Sequence, residues 1–186
     1  MHGLRCSESL AGWTRLLDEW IVGLPRSAAR SDAAQAVWAS EPAAVATLCD
    51  AADRVRRFAY PDAALAAIEP APDGRLRFEL QGQPYVVQPR AQVVDRPAAL
   101  AAEAPGWLAA ALDGARAGAG DARPVGAVIA AAHLPASGGE APAAFVEAAK
   151  GLGCIGVAWS FPALPGRAEY AFADARWPGA LLLLAA

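Results

Sequence analysis

The chain has 186 residues, 55% of them hydrophobic and 19% charged, with a formal net charge of −3. That composition excludes a disordered tail, and the length suits one domain with a sizeable core. Residues 1–68 carry 7 Arg against 8 acidic groups, residues 69–123 carry 6 against 7, and residues 124–186 carry 3 basic against 4. No segment holds the basic excess that neutralising phosphates needs, so no nucleic-acid partner is expected.

Leu10, Trp13, Leu16, Leu17, Trp20, Ile21 and Leu24 follow helical spacing, with Arg15, Asp18 and Glu19 opposite. Ser9 suits the cap, and Gly23 with Pro25 the stop. Two tryptophans on one stripe suit either a core or a groove for a partner, and in the second case Trp13 and Trp20 form the interaction face. Residues 31–39 read as a second short helix containing Trp38. Ser40 then caps a third, with Pro42 in its first turn and Val45, Leu48, Cys49, Ala52, Val55 and Phe58 on its inner side. A last turn through Leu65 and Ile68 ends a half without strands.

Beyond the loop Glu69-Pro-Ala-Pro-Asp-Gly74 the period changes. Leu76, Phe78 and Leu80 alternate with Arg75, Arg77 and Glu79, and Gln81-Gly82-Gln83 turns the chain into a second strand over Tyr85–Gln88. Pro84 and Pro89 suit an edge. Residues 97–117 return to helix around Trp107, Leu108 and Leu112, and residues 114–123 form a loop. Val125–Ala132 and Cys154–Phe161 are apolar almost throughout, as strands covered on both faces are. Between them Phe145, Ala148, Ala149 and Leu152 form one helical stripe, and Gly151 suits the left-handed exit. Strand, helix and strand over this span read as a βαβ crossover with its strands parallel. Glu169–Ala175 and Ala180–Ala186 close the chain as a hairpin across Trp177-Pro178-Gly179. The fold class is therefore α/β, with α+β as its variant. A helical segment, 1–68, precedes an α/β domain, 69–186, unless both form one compact domain.

A site on such a sheet falls past the carboxyl end of a strand and before a helix. Here that is the loop 133–140, where His133, Ser137, Gly138 and Gly139 are the candidate ligand-binding residues. Ser137 and Glu140 also have capping-box spacing, which assigns the same residues to the first helical turn. A triad would need His133 with Ser137, Ser160 or Cys154, and no G-x-S-x-G elbow accompanies any of them. Gly151-Leu-Gly-Cys-Ile-Gly156 has the letters of a dinucleotide loop but follows a helix and enters a strand, the reverse of what that chemistry needs. A metal-dependent nuclease would need an E-x-K, and Glu79 is followed by Leu80 and Gln81. No catalytic residue and no metal ligand is assigned. Cys6, Cys49 and Cys154 form no C-x-x-C pair, which fits thiols of a reducing compartment. With no signal peptide and no segment long enough to span a bilayer, the expectation is a cytoplasmic protein without a membrane partner. The Ala and Arg bias, with Lys150 the only lysine, points to a GC-rich bacterial genome.

Arg54-Val-Arg-Arg-Phe58, followed by Pro61-Asp62 and Leu65, resembles the opening of FMN-dependent nitroreductases, whose motif contains R-S-x-R. Asp53 and Arg54 stand where that motif has its first Arg and its Ser. The resemblance implies FMN as cofactor and a small-molecule-binding enzyme with a site near the loop 133–140. The other reading, which the absence of assembled chemistry favours, is a non-catalytic interaction or accessory protein. It would bind a protein partner or a second copy of itself as a homo-oligomer.

Overall fold

The structure is a computed structural model and describes residues 1–30, 41–58, 64–65, 68–135, 142–161, 170–172 and 175–186. In chain order the strands are β1 (His2–Cys6), β2 (Glu69–Pro70), β3 (Leu76–Leu80), β4 (Gln83–Val94), β5 (Arg123–Pro135), β6 (Gly156–Ser160), β7 (Tyr170–Phe172) and β8 (Ala175–Ala185). The helices are α1 (Thr14–Arg30), entered through a 3-10 helix at Glu8–Trp13, then α2 (Glu41–Phe58), α3 (Pro97–Arg116) and α4 (Pro142–Lys150). Among the described residues, no helix is long and apolar enough to cross a membrane.

Consecutive apolar residues in β5 and β8 demand cover on both faces, and the two strands lie side by side at the centre of a mixed sheet. They run antiparallel, with Val128 opposite Leu183. Seven strands follow the order β1-β6-β8-β5-β4-β3-β2, and β7 pairs with the start of β8. Pleating sends alternate residues to opposite faces. Val125, Ala127, Ile129 and Ala131 join Leu182 and Leu184 in one core, closed by Trp13 of the 3-10 helix, Leu17 and Trp20 of α1, and Leu48 and Val55 of α2. Val128, Ala130 and Ala132 join Leu181 and Leu183 in the other, closed by Leu100, Ala104 and Leu108 of α3 and Phe145 and Ala149 of α4. Leu181 to Leu184 are each 0% exposed, and each such side chain contributes roughly 1.5–3 kcal/mol of burial. The result is three layers, helices on both faces of one sheet.

Two strand-helix-strand units share one face. β4, α3 and β5 make one, with β4 and β5 parallel neighbours from Tyr85 opposite Arg123 to Val94 opposite Ala132. β5, α4 and β6 make the other. Both of its strands are antiparallel to β8, so they are parallel to each other as expected, but β8 lies between them. α3 approaches the sheet closely at Gly126, where a Cβ would stand 2.5 Å from the Leu112 nitrogen.

Several expectations give way for physical reasons. The N-terminal half does contain a strand: β1 pairs antiparallel with β6, with Leu4 opposite Ala158. Only Leu4 and Cys6 alternate inward there, too short a pattern to stand out. Gly23 and Pro25 do not end the first helix, which runs to Arg30. Gly23 is instead where the Arg54 guanidinium crosses α1, in space a Cβ would occupy. Phe58 ends α2 at 57% exposure rather than facing inward. Leu65 is extended, bridged to Leu80. The strand expected over Tyr85–Gln88 is the twelve-residue β4. It pairs with β3 only over Gln83–Val87 and with β5 only from Tyr85 onward, so Pro84 and Pro89 each fall where β4 has a single neighbour. Past α4 the left-handed residue is Gly153, with φ 68°, not Gly151. The terminal hairpin forms with a different register. Phe172 pairs with Ala175, and Trp177-Pro178-Gly179 lies within β8.

Candidate functional site

β4, β5 and β6 run parallel, so their carboxyl ends share one edge of the sheet, and β5 carries His133 there. Ala132 pairs with Gly179 and Leu134 with Arg176, leaving both Trp177 and Pro178 across from His133. That two-to-one count is a bulge, and Pro178 accounts for it, since proline has no N–H for the ladder. The backbone of His133 is thus held at an irregular point of the sheet's end. Ser137, Gly138, Gly139 and Glu140 lie outside the described residues, as does Trp38.

Two of the residues a triad would pair with His133, Cys154 and Ser160, are placed or engaged elsewhere. Cys154 precedes β6, at the end of the sheet where Gly156 pairs with Leu184 and Gly126 with Ala185. At about 3.3 Å per strand residue, that places it roughly 20 Å from His133 along β5. Burial pushes its thiol up to about 11, so it is protonated and weakly nucleophilic near neutral pH. Burial also raises the thiols of Cys6 and Cys49. Ser160 sits at the right end of its strand, but the residue is 1% exposed and its hydroxyl donates to the Ile21 carbonyl at 3.1 Å. It ties β6 to α1, and no substrate reaches it.

Arg54, which stands where the flavin motif has its Ser, is also committed. Its Nε donates to the Glu19 carboxylate at 3.1 Å and a terminal nitrogen donates to the Glu19 backbone carbonyl at 2.6 Å. Both side chains are mostly buried, so the pair clamps α2 onto α1. Arg56 pairs at the surface with Asp53, and Arg57 is exposed beside it. Both lie in the last turn of α2, where the helix dipole favours cations.

Trp13 and Trp20, the proposed interaction face, are each 1% exposed. Trp13 packs edge-on against Tyr85 and obliquely against Phe78, both at 5.4 Å between ring centroids. Trp20 donates from Nε1 to Thr47 at 3.2 Å. Both rings belong to the core between α1 and the sheet, and the chain itself covers both.

What the sequence reading passed over is the outer side of α3. Ala98, Ala101, Ala102, Pro105, Gly106, Ala109 and Ala110 are all exposed, and Glu103 is the one charged residue from Pro97 to Leu112. The available signal was that charge count over four turns of helix. On the outer strands, Glu69, Arg77, Glu79 and Pro84 rim an open depression. Arg77 there donates to the Gly118 carbonyl at 2.7 Å. In comparisons with known proteins the chain matches no family model, no curated protein and no solved structure.

Proposed function

We propose that the protein is a non-catalytic interaction or accessory protein and that the outer side of α3 is the surface through which it binds. The observation that carries this is the exposed side of α3, where Ala98, Ala101, Ala102, Pro105, Gly106, Ala109 and Ala110 lie with Glu103 as the single charge. Small residues let a partner's backbone approach closely, and a surface with a single charge imposes a small desolvation cost on burial. Its first occupant is a second copy of the same chain. Two such faces meet without like charges directly opposite when antiparallel about Gly106, since Glu103 then stands across from Ala109 and Asp113 across from Ala99 of the other copy. A contact of one helix per subunit is small, so association in the micromolar range is expected.

Gly106→Arg tests the proposal cleanly, because a Cβ at Gly106 meets nothing within 4 Å. Light scattering across micromolar concentrations should show the wild-type mass rising towards a dimer while the variant stays monomeric. Circular dichroism should show the variant folded. A wild type that remains monomeric throughout, or a variant that associates equally well, overturns self-docking through α3.

A further inference from the structure

We draw no further inference here: the strongest candidate, the strip of β4 from Arg90 to Val94 that has no strand on the side away from β5 among the described residues, is an open sheet edge, and nothing in the structure shows what covers it.

Discussion

Gly126→Ala sets two known effects against each other at one position. Alanine restricts the unfolded chain and by itself stabilises by about 0.4–1 kcal/mol. Against this, the new methyl would stand 2.5 Å from the nitrogen and 2.9 Å from the Cα of Leu112. Those are backbone atoms, which cannot rotate away. α3 can yield only by lifting Leu108, Ala111, Leu112 and Ala115, all buried, off the sheet. Overpacking of this kind costs about 1–3 kcal/mol, and contact with backbone places it at the upper end. The net expectation is a loss of about 2 kcal/mol, or roughly 4–8 °C in Tm for a chain of this size. Gly106→Ala is the control on the same helix. It has open space, and replacing an interior helical glycine should stabilise by about 1 kcal/mol. Urea denaturation of both variants should therefore move the midpoints in opposite directions with unchanged slopes. A Gly126→Ala protein as stable as wild type would refute the close seating of α3 on β5.

Arg54→Met should cost about 3 kcal/mol, because it removes a guanidinium that neutralises the mostly buried Glu19 carboxylate. Glu19→Gln with Arg54→Met should cost less than the sum, which a urea double-mutant cycle reads directly. Thr47→Val removes the acceptor for Trp20 and should cost about 1–2 kcal/mol; no change in urea midpoint would mean that this bond contributes nothing. Cys154 should resist a thiol reagent at neutral pH until the protein is unfolded, and rapid labelling of the native state would contradict its raised pKa. Because that pKa is higher folded than unfolded, the stability it contributes is full below pH 9.0 and is lost as pH rises towards about 11. Thermal melts over that range should show a steeper decline for wild type than for Cys154→Ala.

The helical stripe of the first helix and the apolar strands at Val125–Ala132 and Cys154–Phe161 were legible because each runs long enough for its period to show. Strand order was not. Both flanks of β5 are apolar enough to accept any neighbour, so nothing local says that β8, from the far end of the chain, takes the place beside it. Gly23 misled because a glycine followed closely by proline usually ends a helix. Here the missing Cβ serves Arg54, a residue from another helix, and no pattern along the chain encodes that crossing. The tryptophans were ambiguous for a related reason. A stripe of aromatics marks a buried face whether the cover is the protein's own sheet or a partner, and only the placement of Phe78 and Tyr85 against Trp13 decides it.

The composition of α3 bears on the proposed surface in a way that helix stability alone does not explain. Pro105 has no N–H for the carbonyl of Ala101, and an interior proline costs a helix about 3 kcal/mol, with the adjacent Gly106 adding about 1. Both are exposed, so neither is there to fill the core. A helix built for stability would carry oppositely charged pairs along its wet side, as α2 carries Asp53 and Arg56 at spacing three; α3 has one such pair in its last turn, Asp113 with Arg116, and none between Pro97 and Leu112. α3 withstands the Pro-Gly step because its inner side is held by Leu100, Ala104, Leu108 and Ala111 against the sheet. The outer side is then free of structural duty, and a smooth surface of small residues with one charge, Glu103, suits close approach by another backbone better than solvation. If that surface serves docking, Pro105→Ala should stabilise the monomer while altering association. If α3 only covers the sheet, the same substitution should stabilise the protein and leave its mass in solution unchanged.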